Sequence, residues 1–217
     1  MKKKHIIILS SIIASIVIIS IILICFFNIP RISYGYDREA ETYYVDKVYG
    51  NARSYEIKES IHNKPVTKIK ARAFMNKTNL EEIILSENLI EIERLAFLNC
   101  RKLEKIDLSN VKTIGRNAFE NCSSLKSVQL NLQDILGGTF IGCSNLIEVE
   151  LTNTLSIGSY AFGYTNIEEM IIPKTCSLVG EDAFIGCANL KKVIVKSYAL
   201  LSNSYLKSLN GVEFQVN

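Results

Sequence analysis

One pattern of about 22 residues recurs six times along this chain. Each copy is built around a phenylalanine that follows a small residue and precedes an L-x-x-V-x-L segment or a close variant of it. These phenylalanines define units one to six and are Phe74, Phe97, Phe119, Phe140, Phe162 and Phe184. A unit this short cannot bury its own apolar side, so it must stack on its neighbours. The repeat therefore predicts a solenoid.

Alignment on the phenylalanine places apolar residues in two columns that are predicted to point inward. Eight residues before it stand Val66, Leu89, Val111, Leu132, Thr154 and Cys176, and five before it stand Ile69, Ile92, Ile114, Ile135, Ile157 and Val179. The L-x-x-V-x-L segments alternate in polarity, which predicts one array of parallel strands about 4.8 Å apart. The A-F-x-x-C segment is predicted to form a helical or irregular turn opposite this array, and Gly115, Gly158 and Gly180 are predicted to serve a turn. In unit five the strand begins one residue early, which predicts a tighter bend at residues 164–166.

The clearest copy reads I-G-x-x-A-F-x-x-C-x-x-L-x-x-V-x-L from Ile114 to Leu130. It resembles the BspA-like leucine-rich repeat family, the surface-antigen type, and the resemblance covers residues 55–195. Lys77 and Thr165 replace the cysteine, and the proline that often follows the strand occurs only at Pro173. The resemblance implies a leucine-rich repeat solenoid, an extracellular binding or adhesive role, and no catalysis.

Cysteines recur three residues after the phenylalanine, at Cys100, Cys122, Cys143 and Cys187. Zinc ligands converge on a point, whereas these cysteines would form a line along the stack. Side chains of stacked neighbours point the same way, which disfavours the close Cβ approach of a disulfide. We therefore expect reduced, buried thiols that fill a small apolar column, in preference to a metal site or a disulfide.

Few residues suit catalysis. The histidines are His5 and His62, and the sequence contains no P-loop, G-x-S-x-G or H-E-x-x-H motif. Glu148, Glu150, Glu168 and Glu169 lie on adjacent predicted strands, where a solvated acidic face is suited to attracting cations or basic ligands. The sequence predicts no enzyme, no metal and no cofactor.

An apolar stretch, residues 6–27, follows Lys2, Lys3 and Lys4. Its 22 residues would span about 33 Å as a helix, enough to cross a hydrocarbon core of about 30 Å. A cleaved signal peptide usually has a shorter apolar region, and a lipidated Cys25 would follow a small residue where this chain has Ile24. An uncleaved transmembrane signal anchor is favoured, with cleavage and lipidation left open. Because flanking basic residues stay on the cytoplasmic side, the repeats are predicted to be extracellular.

The predicted organisation has six parts. Excluding the three lysines leaves 22 basic against 22 acidic residues, so the external part is neutral and nucleic acid is not a predicted partner. The parts are a cytoplasmic basic tail (1–5), the transmembrane anchor (6–27), a tether (28–50), an N-terminal cap (51–65), six leucine-rich repeats (66–196), and a C-terminal cap of a short helix and a strand (197–217).

The predicted binding surface is the outward side of the strand array, where each strand exposes one residue on either side of its central inward residue. These residues are Glu82, Ile84, Lys105, Asp107, Ser127, Gln129, Glu148, Glu150, Glu169, Ile171, Lys192 and Ile194. Ile171 and Ile194 would form an exposed apolar patch unless the C-terminal cap covers them. The predicted partner is a protein or other cell-surface ligand, including a glycan. The alternative is a structural or accessory ectodomain of a cell-envelope complex.

Overall fold

The computed structural model of the protein describes residues 16–17, 29–196, 198–200, 203–209 and 213–216. Stacked coils form a leucine-rich repeat solenoid, and a typical coil contributes a longer strand, a short strand and a turn that carries the phenylalanine. The strands in chain order are β1 (Arg31–Asp37), β2 (Thr42–Tyr49), β3 (Ser54–Glu56), β4 (Ser60–Ile61), β5 (Lys64–Ile69), β6 (Glu82–Ile84), β7 (Glu91–Ile92), β8 (Thr113–Ile114), β9 (Ser127–Leu130), β10 (Asp134–Ile135), β11 (Glu148–Leu151), β12 (Ser156–Ile157), β13 (Glu169–Ile172), β14 (Leu178–Val179), β15 (Lys192–Val195) and β16 (Glu213–Val216).

The longer strands follow the L-x-x-V-x-L segments, as the alternation predicts. They are β3, β6, β9, β11, β13, β15 and β16, and the paired neighbours among them run parallel. Val149 lies opposite Val128, and Met170 lies opposite Val193. Unit two contributes a single bridge, between Lys105 and Glu82. The inward residues of these strands form one side of the hydrophobic core.

A second parallel array was not predicted. The column five residues before the phenylalanine lies on the short strands β5, β7, β8, β10, β12 and β14, where Ile92 pairs with Ile114 and Ile157 with Val179. Most of these strands have two residues. A segment of that length shows no alternation, because alternation needs several residues to be visible.

The turns stack their phenylalanines into one column through the centre of the solenoid. Successive ring centroids from Phe74 to Phe184 lie 4.9, 5.1, 5.3, 5.6 and 5.9 Å apart, and neighbouring rings are within 16° of parallel. The backbone follows the same stacking, since Phe97 N donates to Ala118 O at 2.8 Å. The residue two positions after each phenylalanine is left-handed, with φ of 61° at Asn76 and at Asn99. Asparagine tolerates this region, and the Asn99 amide also donates to Asn76 Oδ1 at 2.9 Å.

Glycines four residues before the phenylalanine allow close contact between coils and do not provide a left-handed turn. A Cβ added to Gly115 would lie 2.3 Å from the backbone nitrogen of Arg94 in the preceding coil. The same addition at Gly158 and Gly180 would come within 2.7 and 2.6 Å of backbone nitrogens. The predicted turn role of these glycines is thus replaced by a packing role.

The predicted tether is wrong for most of residues 28–50. Strands β1 and β2 form an antiparallel hairpin, and β2 pairs in parallel with β5 of the first unit. The segment looks polar, but it buries Val45 and Val48 against the core and so closes the N-terminal end of the solenoid. Tyr55 of β3 completes this end by packing edge-on against Phe74, with ring centroids 5.7 Å apart.

The C-terminal cap contains the predicted short helix and last strand. A single 3₁₀ turn (Tyr198–Leu200) precedes helix α1 (Ser204–Ser208), and β16 pairs in parallel with β15. The cap also satisfies backbone groups that have no further coil to pair with. The Tyr205 hydroxyl accepts a hydrogen bond from Phe184 N at 2.8 Å, and the Asn203 amide donates to Val179 O at 3.2 Å.

One buried hydroxyl in the core is expected to reduce stability. Thr154 is buried in the column otherwise filled by residues such as Leu132, and its Oγ1 has no hydrogen-bond partner. We expect Thr154→Val to raise the free energy of unfolding by about 1 kcal/mol, since it removes an unpaired polar atom at nearly constant volume. Urea unfolding measures the change. Thr139→Val is the matched control, because that hydroxyl donates to Leu136 O at 2.6 Å and its loss should destabilise. A destabilised Thr154→Val would contradict the prediction.

Candidate binding surface

The outward side of the longer strands forms an open surface, which we call the long-strand face. Ten of its twelve predicted residues are exposed, and Lys192 is half-buried. The exposed ones are Glu82, Ile84, Lys105, Asp107, Ser127, Gln129, Glu148, Glu150, Glu169 and Ile171. The prediction for Ile194 is wrong, because this side chain is only 9% exposed. Strands β13 and β16 pair with β15 on both sides, so the C-terminal cap closes this end of the face.

The middle of the long-strand face is acidic and has apolar margins. Gln129 Nε2 donates to Glu150 Oε2 at 3.0 Å across two strands, while Glu148 and Glu169 take part in no ion pair with other described residues. Ile171 is 42% exposed beside them. A depression of about 470 Å³ lies between these side chains. It places unpaired carboxylates next to an exposed aliphatic surface.

The N-terminal half of the face has a second depression of about 620 Å³. Ile84, Asp107 and Gln129 are among its lining residues, and it lies where unit two contributes only the Lys105–Glu82 bridge. The long-strand face is therefore a row of shallow depressions and not a deep cleft. A surface of this shape suits a macromolecule better than a small molecule.

The cysteine column is structural. Cys100, Cys122 and Cys143 are free and buried, and Cys187 is free but half-buried, so its predicted burial is only partial. Each thiol donates to the carbonyl of a phenylalanine in an earlier unit, for example Cys122 Sγ to Phe97 O at 3.3 Å and Cys143 Sγ to Phe119 O at 3.1 Å. Burial raises the pKa of Cys100 and of Cys143 to about 12. Such thiols are neutral at physiological pH and unsuited to act as nucleophiles.

Sequence reasoning missed three exposed leucines beside the short strands. Leu136, Leu155 and Leu178 are all exposed. Leu136 follows the inward Ile135, Leu155 follows the inward Thr154, and Leu178 precedes the inward Val179. The signal was available, since a neighbour of an inward residue in a strand must point outward.

The described residues contain no helix long and apolar enough to cross a membrane. The predicted basic tail and anchor, residues 1–5 and 6–27, lie outside the described residues apart from Ile16 and Val17.

Comparison with protein families decides what kind of repeat this is. The sequence matches the family model for the BspA type leucine-rich repeat region over residues 49–156 and 155–210. The chain belongs to the BspA-type leucine-rich repeat family. This confirms the resemblance seen in the Ile114 to Leu130 segment. No curated protein sequence matches the chain at a significant level.

Solved structures of bacterial leucine-rich repeat proteins are similar to this BspA-type chain. A leucine-rich cell surface protein from Faecalibacterium prausnitzii is 25% identical, with a TM-score of 0.62 over 77% of this chain and 53% of its own. The T. pallidum leucine-rich repeat protein TpLRR is 23% identical, with a TM-score of 0.58 over 75% and 68%. The pneumococcal vaccine antigen PcpA is 17% identical, with a TM-score of 0.57 over 79% and 49%. The chain thus spans about half the length of the first of these proteins.

The family and one similar structure indicate the general class of function. BspA-type repeat proteins are generally non-enzymatic binding modules, and the similar structure from F. prausnitzii is that of a cell surface protein. The T. pallidum and pneumococcal proteins support the fold alone. A protein-interaction or adhesion module is the function class that the family supports.

Proposed function

We propose that this BspA-type protein is an extracellular binding module that is anchored by residues 6–27 and binds a protein partner through the long-strand face. The observation that carries the proposal is the continuous exposure of ten predicted residues along stacked strands. A surface fixed by stacked strands loses little conformational entropy when a partner docks. The proposed division of the remaining chain is a hairpin-containing N-terminal cap, six repeats and a C-terminal cap.

The charge of the face favours a basic partner. Glu148 and Glu169 lie at equivalent outward positions in units four and five, and neither carboxylate is paired with a cation among the described residues. A positively charged partner would be attracted to them over distances up to a Debye length. Ile171 offers an apolar contact next to these carboxylates, where a partner side chain could be desolvated.

Charge reversal on the face is expected to weaken partner binding without unfolding the protein. The partner is first captured with the full chain from intact cells by crosslinking and identified by mass spectrometry, and its Kd is then measured. We expect Glu148→Lys and Glu169→Lys each to raise that Kd at least about tenfold, because each replaces attraction by repulsion. The matched control is Glu181→Lys, an exposed position in the turn before Phe184.

Two outcomes separate the proposal from its alternatives. An unchanged Kd in both variants would move the binding site away from the long-strand face. Recovery of one cell-envelope complex, with no partner outside the envelope, would identify the protein as an accessory ectodomain. In each case an unchanged melting temperature shows that the variant is folded.

The anchor is tested by topology. A protease added to intact cells is expected to remove a tag fused after Asn217, because basic residues precede the apolar segment and retain its N-terminus inside. Western blotting of the tag, with a cytoplasmic protein as the integrity control, reports the result. Protection of the tag, or a mature N-terminus at Cys25 or Ile29, would contradict an uncleaved anchor.

A further inference from the structure

The ladder of short strands has a gap between units three and four. Strands β5, β7 and β8 are joined in one sheet and β10, β12 and β14 in another, but β8 and β10 belong to separate sheets. On either side of the gap the pattern is regular, because Gly115 N donates to Ile92 O and Gly158 N donates to Ile135 O, each at 2.8 Å. The equivalent bond from Leu136 N to Ile114 O is not formed among the described residues. We call residues 112–114 and 133–136 the seam.

The seam opens only on one side of the solenoid. On the turn side the same two coils stay stacked, with the Phe119 and Phe140 ring centroids 5.3 Å apart and Phe119 N donating to Thr139 O at 2.9 Å. The chain itself provides the cause. The link from the long strand to the next inward column is shorter here than in the other units, since one residue separates Leu130 from Leu132. The shorter link shifts β10 along the chain relative to β8, so the two strands are not in register and do not pair.

A depression of about 790 Å³ lies at the seam, with residues of both β8 and β10 in its lining. Its polar lining is mostly uncharged, and it includes the hydroxyl of Thr113 and the amides of Asn131, Gln133 and Asn153. Lys112 and Asp134 contribute charges of opposite sign. The lining therefore selects neither an anion nor a cation. The hydroxyl and amide groups of the lining include both hydrogen-bond donors and hydrogen-bond acceptors.

Apolar surface accompanies these polar groups. Leu136 and Leu155 are exposed side chains in the lining. The combination suits a ligand whose hydroxyl groups donate and accept hydrogen bonds and whose ring faces carry C–H groups. This is the chemistry of an uncharged sugar.

We propose that the seam binds a neutral oligosaccharide, at a site separate from the long-strand face. Sugar hydroxyls would pair with the unbonded Leu136 N–H and Ile114 carbonyl and with the Gln133 amide, while a ring face packs on Leu155. The depressions of the long-strand face share no lining residue with the seam. The proposal therefore goes beyond the protein-binding role and stands independently of it.

An extended peptide fits the seam less well. Neighbouring strands lie about 4.8 Å apart, so a peptide strand inserted between β8 and β10 would need about twice that separation. The Phe119 and Phe140 rings hold the two coils 5.3 Å apart at the centre. Single hydroxyl groups can enter an opening that a complete strand cannot.

Calorimetric titration of the full chain in mild detergent tests the proposal. The probes are neutral tetrasaccharides of glucose, mannose, galactose and N-acetylglucosamine, with tetragalacturonate and a Gly-Thr-Gly-Thr peptide as competitors of other chemistry. We expect at least one neutral sugar to bind. Gln133→Ala and Thr113→Val, both at exposed positions, should each raise its Kd about fivefold or more. Gln129→Ala on the long-strand face is the matched control and should leave Kd unchanged.

Hydrogen exchange supplies a second measurement that does not depend on a variant. The Leu136 amide should exchange much faster than the Gly115 and Gly158 amides in the free protein and slow down when the sugar is added. Several results overturn the proposal: no neutral sugar binding at about 10 mM, preference for tetragalacturonate or the peptide, a Kd unaffected by Gln133→Ala and Thr113→Val, or a Leu136 amide as protected as that of Gly158.

Discussion

Phe119→Ala is expected to lower the free energy of unfolding by about 3 to 5 kcal/mol. The ring is fully buried and lies between Phe97 and Phe140, with centroid distances of 5.1 and 5.3 Å. Its removal eliminates contacts with both neighbouring units and leaves a cavity that the stacked backbones cannot close, because hydrogen bonds fix their spacing. For a chain of this size the loss corresponds to a fall in melting temperature of about 10 °C.

Urea and thermal unfolding measure this change. Tyr164→Ala is the control for loss of an aromatic ring, since Tyr164 lies two residues after Phe162 but is 54% exposed. It should change the unfolding free energy by less than about 0.5 kcal/mol. Interactions between adjacent units dominate the stability of a solenoid, so the effect of Phe119→Ala should appear as lost amide protection in units two to four. A total loss below about 1 kcal/mol would show that the phenylalanine column does not hold the coils together.

Most of the solenoid could be predicted because each of its inward positions is sampled six times. A single isoleucine such as Ile114 is weak evidence for burial, but an isoleucine or valine at the same offset from every phenylalanine is strong evidence. The same argument correctly placed three of the four column cysteines in the core and ten of the twelve face residues on the outside. Repetition turns a local preference into a reliable constraint.

Several features that the sequence did not predict occur only once. The β1–β2 hairpin has no repeat behind it, and its tyrosines and charges conceal the burial of Val45 and Val48. Ile194 occupies an outward position in its strand, but the C-terminal cap beside it buries the side chain. The interval of 21 residues between Phe119 and Phe140 was visible in the sequence. Only the structure shows that this shorter interval leaves the short strands β8 and β10 unpaired.

The free energy of unfolding is expected to fall steeply above pH 9. Burial raises the pKa of Cys100 and Cys143 to about 12 and that of Cys122 well above its ordinary value of 9.0. The folded state therefore keeps these thiols protonated, while the unfolded state ionises them at a lower pH. Each of these thiols has a higher pKa in the folded state than in the unfolded state. Its contribution to the stability of the folded state is therefore fully present below the unfolded pKa of about 9 and is lost as the pH rises from about 9 to 12.

The size of this effect follows from the linkage between pKa and stability. Within that window Cys100 and Cys143 each lower the free energy of unfolding by about 1.4 kcal/mol per pH unit, so the two together lower it by about 3 kcal/mol per unit. The raised pKa of Cys122 acts in the same direction. The loss occurs because unfolding releases protons that the buried thiols hold. At pH 10.5 the accumulated loss of unfolding free energy should be larger than that caused by most single core substitutions.

Urea unfolding at pH 7.5 and 10.5, under reducing conditions, measures the loss. In the Cys143→Ser variant the hydroxyl can still donate to Phe119 O, the bond made by the thiol at 3.1 Å, but it does not ionise in this range. We expect the variant to lose about 2 kcal/mol less than the wild type between the two pH values. Ser144→Ala, at an exposed position next to Cys143, serves as the control and should lose as much as the wild type. Equal losses in the wild type and Cys143→Ser would show that tyrosines or lysines, and not the buried thiols, cause the alkaline instability.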